Sequence, residues 1–373
     1  MTVLLVGGGT GGHIVPLLPV AAKLKSIDKQ LSVIAVTDKG GSFNDILDSS
    51  KDIDKVIRIS GGKYRRYPNQ SKLLSLFDVK THALNARDSF RTIKGLSQAN
   101  KLIKQTSPSV IFIKGGYVSV PVGLAAKMAG IPYVTHDSDA VPSLSTKIIG
   151  KSAIKKLSGM PISGKNEQEF IHVGVPVSDK FIKISTSRQN ELKKELGISE
   201  DTKMVLVTGG SQGAQRINSA IEKILPDLAK DKVLTVHQTG KKFQKTNSDL
   251  YRSITYIDEM YKYSGAADII VSRAGSSLAE FAQQIKPVIA IPAKHLAGGH
   301  QILNAKILEK NNAAIVLGED ELDQSPSILL KTIRDLLSNR AKANSLAKAA
   351  ERVYPSNSAE RIATELMNIL NKS

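Results

Sequence analysis

Short apolar runs alternate with amphipathic segments along the whole chain. Residues 2–6 are apolar and too few for a helix, so they predict a strand. Residues 14–25 carry apolar side chains at helical spacing, with Pro16 in the first turn, where proline is tolerated. The same alternation continues through apolar runs at 31–36, 109–113, 133–135, 204–207, 233–236, 267–271, 288–291 and 313–316. Strands that alternate with helices predict an α/β fold of doubly wound parallel sheets.

These units fall into two groups, one before about residue 170 and one after about residue 200. A chain of 373 residues also exceeds what a single hydrophobic core usually supports. We therefore expect a first domain over residues 1–175 and a second over 176–355. The last helical pattern, within 356–373, is expected to pack back on the first domain, and the ligand clefts of the two domains are expected to face each other.

Glycine-rich turns follow four of the predicted strands. Glycine lets the backbone approach a ligand closely, and the free amides at a helix N-terminus favour an anion. These turns therefore predict phosphate-binding sites in both halves of the chain. They are Gly7-Gly8-Gly9-Thr10-Gly11-Gly12-His13, Gly115-Gly116-Tyr117, Gly209-Gly210-Ser211-Gln212-Gly213 and Arg273-Ala274-Gly275-Ser276.

The first turn also satisfies the dinucleotide-binding pattern. Gly7, Gly9 and Gly12 have G-x-G-x-x-G spacing, and Asp38 closes the second predicted strand, where a ribose-binding acid stands in such proteins. An oxidoreductase that uses NAD(P) or a flavin is therefore an alternative. Against it, a dinucleotide-binding protein typically has one such turn, whereas this chain repeats the turn in its second half.

In the second half, polar residues surround the glycine turns. Glu280 lies in the helix after Ser276, and a carboxylate there can accept hydrogen bonds from two vicinal ribose hydroxyls. His300, Gln301 and Asn304 lie at the start of another predicted helix and can present donors and acceptors to a sugar. The alternatives are an ordinary surface glutamate and simple helix capping.

His13 stands at the entrance of the first helix, where an imidazole is disfavoured in its charged form. It is therefore our candidate general base, with Asp137 or Asp139 as the alternative, although His13 can equally be a hydrogen-bonded part of the turn. The run His136-Asp137-Ser138-Asp139 raises the question of a metal bound to a diphosphate. We expect none, because helix N-termini already supply positive potential and Ser138 and Asp139 can cap a helix.

The amino-acid composition limits the classes of partner that this protein is expected to bind. Lys and Arg number 52 against 34 Asp and Glu, a net charge of +18 that indicates an anionic partner. Nucleic acid is not favoured, since the chain has no Trp, 5% aromatic residues and no recognised nucleic-acid-binding motif. The absence of Cys fits a reducing compartment, and we expect neither a signal peptide nor a transmembrane segment.

The strongest positive charge lies between residues 63 and 94. Eight cationic residues there (Lys63, Arg65, Arg66, Lys72, Lys80, Arg87, Arg91 and Lys94) accompany two acids, Asp78 and Asp88, and the apolar residues Leu73, Leu74, Leu76 and Phe77. Apolar side chains ringed by cations are typical of a surface that binds anionic membranes. A solvated loop whose leucines cover the core is the alternative.

Taken together, these motifs resemble the MurG family of N-acetylglucosaminyltransferases along almost the whole chain. Any one motif occurs elsewhere, but the set in this order is specific. The matching residues are Gly8 to His13 with Pro16, Gly115 to Ser119 with Pro121, His136 to Asp139 with Pro142, Gly209 to Ala214, Ser272 to Gly275 with Glu280, and His300-Gln301 with Asn304-Ala305.

The resemblance implies a GT-B fold, two Rossmann-like domains facing a deep cleft. It implies inverting transfer of N-acetylglucosamine from UDP-GlcNAc to the 4-hydroxyl of muramoyl-pentapeptide-pyrophosphoryl-undecaprenol, without a cofactor. The location implied is the cytoplasmic face of the cell membrane, where the enzyme serves peptidoglycan synthesis, cell shape and cell division. A different GT-B lipid glycosyltransferase remains an alternative.

The same resemblance assigns residues to roles. Catalysis falls to His13, with Asp137 and Asp139. Membrane binding is assigned to Arg65, Arg66, Lys72, Leu73, Leu74, Leu76, Phe77 and Lys80. The acceptor is assigned to Gly9, Gly115, Gly116, Tyr117 and His136. The donor, UDP-GlcNAc, is assigned to Thr10, Gly11, Gly12, Gly210, Ser211, Gln212, Arg273, Gly275, Ser276, Glu280, His300, Gln301 and Asn304.

Overall fold

A computed structural model describes residues 1–40, 43–63, 79–162, 167–210, 213–241, 243, 245–294 and 299–372, with the backbone alone at 44 and 79–83. The chain divides into two compact units. The first comprises Met1–Ser178 and Asn357–Ser373, and the second comprises Asp179–Ser356. The division lies close to the boundary expected at residue 175.

The first unit is built on a seven-stranded sheet in the order β3-β2-β1-β4-β5-β6-β7. Every neighbouring pair in it is parallel. The strands are Thr2–Gly7 (β1), Ser32–Asp38 (β2), Lys55–Ile59 (β3), Val110–Gly115 (β4), Tyr133–Asp137 (β5), Lys155–Ser158 (β6) and Phe170–His172 (β7).

Helices connect these strands. They span Gly11–Ile14, Leu17–Ile27, Asn44–Asp48, Val79–Thr106, Ser119–Ala129, Leu144–Ile149 and Ser358–Leu370, with short 3-10 turns at Gly150–Ser152 and Glu167–Glu169. The expectation of one helix over 14–25 is wrong. Pro16 has no N–H with which to continue the helix, so the short first helix ends and a second begins at Leu17.

The second unit is built on a six-stranded parallel sheet in the order β10-β9-β8-β11-β12-β13. Its strands are Lys203–Thr208 (β8), Val233–Gln238 (β9), Tyr251–Ile254 (β10), Ile269–Ser272 (β11), Val288–Ala290 (β12) and Ile315–Val316 (β13). Its helices are Thr186–Glu195, Gln215–Lys230, Met260–Ala266, Ser277–Gln283, His300–Lys310, Glu319–Gln324, Ser327–Ser338 and Arg340–Val353.

Each face of the first sheet carries its own hydrophobic core, which explains why its central strands are apolar throughout. Val3 and Leu5 pack on one face, in a cluster completed by Ile362 and Leu366 of the last helix. Leu4 and Val6 pack in the cluster on the other face, with helices Val79–Thr106 and Ser119–Ala129. The predicted architecture of two parallel-sheet α/β domains is confirmed.

Candidate functional site

Two glycine turns of the first unit lie side by side, because the strands they follow, β1 and β4, are neighbours in the sheet. The amide of Gly8 donates to the carbonyl of Gly115 at 3.2 Å. Gly116 has φ of +91°, and a Cβ placed there would lie 2.0 Å from the carbonyl oxygen of Gly8. The two turns can approach this closely only because Gly116 lacks a side chain.

Gly9 lies between an acid and an aromatic ring. Its amide donates to Oδ1 of Asp38 at 2.6 Å. The carboxylate that we considered above as a ribose ligand therefore holds the first glycine turn in place. On the other side, a Cβ at Gly9 would lie 2.7 Å from the ring of Tyr117. Lys63 lies 5.8 Å from the centre of the same ring. Tyr117 is half-buried and thereby forms one wall of the turn.

The predicted base, His13, is half-buried in the short helix Gly11–Ile14. Its Nδ1 lies 3.1 Å from the carbonyl oxygen of Gly8 and 3.2 Å from the hydroxyl of Thr10. Burial, and secondarily the charge of Lys114, lower the pKa of His13 to about 4 against the opposing effects of Gly8 and Asp139. The imidazole is therefore neutral at pH 7.

The hydrogen-bond partner of His13 also fixes its tautomer. A carbonyl oxygen only accepts, so a hydrogen bond to Gly8 requires the hydrogen of the neutral ring on Nδ1. The lone pair is then on Nε2. A Cβ at Gly115 would lie 3.1 Å from this nitrogen, so Nε2 is directed toward the second glycine turn. Of the residues beside it, Thr10 is exposed and Gly11 and Gly12 are half-exposed at the start of the helix.

Lys114 is a site residue that the sequence analysis missed. It is the penultimate residue of β4, its side chain is 2% exposed, and its Nζ donates to Oγ of Ser138 at 2.7 Å. Burial lowers its pKa to about 8, against the charges of Asp137 and Asp139. A lysine directly after the apolar run 109–113, in a strand covered on both faces, was the signal available for finding it.

The run after β5 contains both supporting and accessible residues. His136 is 1% exposed and its Nε2 lies 2.8 Å from the carbonyl oxygen of Gly174, so the expected direct contact with the acceptor does not fit its burial. Asp137 is 5% exposed and accepts the amide of Ser143 at 2.9 Å, so its carboxylate supports the start of the helix Leu144–Ile149, and burial raises its pKa. Asp139 is half-exposed. Within the described ranges, no group of three or more His, Asp or Glu residues is placed to hold a metal ion.

In the second unit, the first glycine turn is held by side chains of two neighbouring strands, β8 and β9. Gln238 is 2% exposed, and its Nε2 donates to the carbonyl of Gly210 at 3.0 Å and to the hydroxyl of Thr208 at 3.1 Å. That hydroxyl in turn accepts the amide of Gly210 at 3.1 Å. A Cβ at Gly213 would lie 2.3 Å from the carbonyl oxygen of Thr239. The predicted donor residues Ser211 and Gln212 lie outside the described residues.

Glu280 lies in helix Ser277–Gln283, which follows the turn after β11. Its side chain is half-buried, and burial raises its pKa to about 7. Its charge also contributes to raising the pKa of Tyr256, which indicates that the two side chains face the same region. A carboxyl group with a strongly raised pKa is typical of a functional site.

Arg273 has a partner within its own unit. Its NH1 donates to Oε1 of Glu319 at 2.7 Å and to the carbonyl of Ile291 at 3.2 Å. Glu319 is 6% exposed and also accepts the amide of Lys294 at 3.1 Å and NH1 of Arg216 at 3.3 Å. This network ties the turn after β11 to the segment after β12. Gly275 and Ser276, within that turn, are half-exposed.

The helix His300–Lys310 begins beside the same turn. Asn304 is 1% exposed and its Nδ2 donates to the carbonyl of Ala274 at 2.9 Å, so the side chain supports the turn rather than presenting its amide to a sugar. Gln301 accepts the amide of Ala293 at 2.9 Å, and its Nε2 lies 3.7 Å from a Cβ placed at Gly275. His300 is half-exposed at the helix start.

The predicted membrane-binding segment is largely outside the described residues. This holds for Arg65, Arg66, Lys72, Leu73, Leu74, Leu76 and Phe77, whereas Lys80 is described in its backbone, within helix Val79–Thr106.

The fold of two doubly wound parallel sheets, together with matches to two family models, defines the class of this protein, which is a glycosyltransferase of the GT-B type. Models of glycosyltransferase family 28 match its N-terminal domain over residues 3–157 and its C-terminal domain over residues 204–366. A crystal structure of MurG from Acinetobacter baumannii shares the fold, with a TM-score of 0.72 at 23% identity, covering 98% of this chain and 99% of that one.

Curated relatives narrow the family further. A UDP-N-acetylglucosamine–N-acetylmuramyl-(pentapeptide) pyrophosphoryl-undecaprenol N-acetylglucosamine transferase of Clostridioides difficile (strain 630) is 30% identical, covering 100% of this chain and 90% of its own length. An enzyme of the same name from Clostridium perfringens (strain 13 / Type A) is 34% identical over 91% of each chain. This chain belongs to that family, the MurG family. These matches do not favour the oxidoreductase alternative.

The Arg273–Glu319 pair allows a test of the second unit. Burial alone would raise the pKa of Glu319, but the Lys294 amide and the Arg273 guanidinium lower it. Its contribution to stability is therefore present above the unfolded-state pKa and lost as the pH falls through the folded-state pKa. Because Glu319→Gln leaves a partly buried guanidinium without its carboxylate, we expect the free energy of unfolding to fall by about 3 kcal/mol at neutral pH.

Urea unfolding of Glu319→Gln, Arg273→Met and the double variant measures this pair. The double variant should lose less than the sum of the single losses, because the two residues interact. Asp320→Asn is the matched control, since Asp320 is 58% exposed in its pair with Lys294 and should change stability by about 0.5 kcal/mol or less. Additive losses for Glu319 and Arg273 would contradict the assigned pairing.

Proposed function

We propose that this chain transfers N-acetylglucosamine from UDP-GlcNAc to the 4-hydroxyl of muramoyl-pentapeptide-pyrophosphoryl-undecaprenol, forming a β-1,4 linkage with inversion. The observation that carries this proposal is the match of the chain along its length to enzymes named for this transfer. In that role the enzyme supplies the lipid-linked disaccharide for peptidoglycan, and through it supports cell shape and division.

The second unit is proposed to bind the donor. The turn at Gly210, held rigid by Gln238, presents backbone to the diphosphate, and the helix that begins at Ser277 adds positive potential. Glu280 accepts hydrogen bonds from the ribose hydroxyls, for which its carboxylate form is required. Gln301 and His300 are proposed to contact the sugar. The buried Asn304 and Arg273 act by holding the turn that carries Gly275 and Ser276.

The first unit is proposed to bind the acceptor at its paired glycine turns. The acceptor pyrophosphate is assigned to the backbone of these turns at Gly9, Gly115 and Gly116, whose missing side chains let the turns pack on Tyr117, His13 and Gly8. In the reaction, the acceptor 4-hydroxyl oxygen attacks the anomeric carbon while the bond from that carbon to the UDP oxygen breaks. The electron pair of the broken bond leaves with UDP. The hydroxyl proton passes to Nε2 of His13, the nitrogen with the free lone pair.

His13→Ala is expected to lower turnover by about 10²- to 10⁴-fold, because it removes the group that accepts the proton. The dissociation constant for UDP-GlcNAc should change little, since the base is proposed to act on the acceptor. Steady-state kinetics with a lipid-linked acceptor and calorimetric binding of UDP-GlcNAc separate the two effects. His13→Gln is a second variant that retains a hydrogen-bonding side chain, and turnover equal to wild type in both would remove His13 from the mechanism.

Donor binding is expected to depend on pH through Glu280. Because burial raises the pKa of this carboxyl to about 7, its carboxylate form increases as the pH rises through that value. UDP-GlcNAc should therefore raise the melting temperature more at about pH 8 than at about pH 6. The pyrophosphate diester of this donor keeps a constant charge over that range, so the change is assigned to the protein.

Glu280→Gln should remove this pH dependence and reduce the stabilisation at the higher pH. Glu222→Gln is the matched control, because Glu222 is an exposed carboxylate of the same unit paired with Lys245. NAD should give no stabilisation with any of these proteins. Stabilisation by NAD in place of UDP-GlcNAc would instead support the oxidoreductase alternative.

We further propose that the first unit binds the cytoplasmic face of the membrane peripherally. None of the helices in the described ranges is long and apolar enough to cross a bilayer. Helix Val79–Thr106 exposes Phe90 (75%) and Ile93 (65%), which lie three residues apart on one face. Arg91 and Lys94 are exposed beside them, while the acid Asp88 is buried. An apolar face flanked by cations complements an anionic lipid surface.

The double variant Phe90→Ser/Ile93→Ser is expected to bind vesicles containing anionic lipid several-fold more weakly, because it loses the apolar area that enters the headgroup region. Sedimentation with vesicles measures the binding, and turnover on a short-chain, water-soluble acceptor should stay unchanged. Ile182→Ser is the control, since Ile182 is 55% exposed in the second unit. Equal vesicle binding by the double variant and wild type would exclude this face.

A further inference from the structure

The lysine buried at the end of β4 joins two strand ends of the first unit. β4 lies between β1 and β5 in the sheet, and Lys114 precedes the glycine turn that packs against His13. Its Nζ donates to Oγ of Ser138 at 2.7 Å, and Ser138 directly follows β5. The side chain is 2% exposed, which is unusual for a lysine and is tolerated only where polar partners surround it.

Four titratable side chains interact electrostatically with this ammonium group. Asp137 ends β5 and Asp139 follows it, and their charges favour the protonated form of Lys114. His136 of β5 and His13 of the short helix after β1 face it as well, and its charge disfavours protonation of both imidazoles. The charge of Lys114 is therefore coupled to two carboxylates and two histidines.

Asp139 and Lys114 act in opposite directions on His13. The carboxylate favours a charged imidazole and the ammonium disfavours it. Burial is the larger cause that keeps the pKa of His13 low, and Lys114 adds to it against Asp139. Removing the ammonium therefore leaves the effect of Asp139 without its electrostatic counterweight and moves the pKa of His13 upward.

We propose that Lys114 is a positioning residue for the transfer reaction: it tethers the Ser138–Asp139 segment through its hydrogen bond to Ser138, and it places a positive charge next to the glycine turn that packs against His13. This inference rests on the proposed role of His13 as the base. It assigns two separable functions to one side chain, a geometric one through Ser138 and an electrostatic one through the ammonium group.

Three substitutions separate these functions. Lys114→Gln removes the charge and keeps a donor for Ser138, Ser138→Ala removes the hydrogen bond and keeps the charge, and Lys114→Arg keeps a cation. The first readout is the titration of the His13 imidazole by NMR in histidine-labelled protein, with the His13 signal assigned by its loss in His13→Gln. The second readout is the acidic limb of the pH profile of kcat/KM.

In Lys114→Gln, the His13 titration and the acidic limb should both move upward, by on the order of one pH unit. Burial lowers the pKa of Lys114 only to about 8, so its charge is present at the lower pH at which His13 takes up a proton. Lys114→Arg should keep the wild-type midpoint. Ser138→Ala should lower kcat severalfold and leave the midpoint unmoved, because it loosens the segment without changing the charge.

An unmoved His13 titration in Lys114→Gln would overturn the electrostatic function, as would an equal shift in Ser138→Ala. Wild-type kcat in Ser138→Ala would overturn the tether. If Lys114→Gln does not fold, Lys114→Met provides the same charge removal. Failure of the base assignment is recognised separately, because unchanged turnover in His13→Ala refutes the proposed mechanism while the NMR titration still reports whether Lys114 acts on His13.

Discussion

The close approach of two backbone turns is the constraint on which the first unit depends. Gly8 and Gly116 meet where a single methyl group would overlap a carbonyl oxygen. That contact brings the helix carrying His13 and the strand end carrying Lys114 into one small region, because both residues are within a few positions of the glycines. The steric fit of the two turns therefore determines which side chains lie close enough to act together.

In the second unit, hydrogen bonds rather than steric contacts fix the glycine turns. Its glycine turns are fixed by buried polar side chains, Gln238 at the turn after β8, and Asn304 and Glu319 at the turn after β11. These side chains have their hydrogen-bond partners inside the protein, and they hold backbone amides in place at the carboxyl edge of the sheet. Binding groups fixed in advance lose less freedom when a ligand arrives.

Much of the fold follows from the sequence because strands buried on both faces are apolar throughout, and the turns follow from their glycines. The roles of individual side chains follow from the sequence less completely. Helical spacing places Asn304 near a turn, yet only tertiary packing shows that it is 1% exposed and points at Ala274. Lys114 looks like an ordinary strand-end lysine until β5 brings Ser138 beside it, a contact across 24 residues of sequence.

The first unit draws its core from two distant parts of the chain. Ile362 and Leu366 of the last helix complete one face of its sheet, and Lys155 pairs with Glu365. During synthesis on a ribosome, the seven strands emerge early, but the part of this face that the last helix covers stays exposed while the whole second unit is translated, a delay on the order of ten seconds. The second unit is continuous in sequence and can complete its core first. The domain begun first is therefore finished last, and its sheet keeps apolar side chains exposed until the final helix of the chain packs against them.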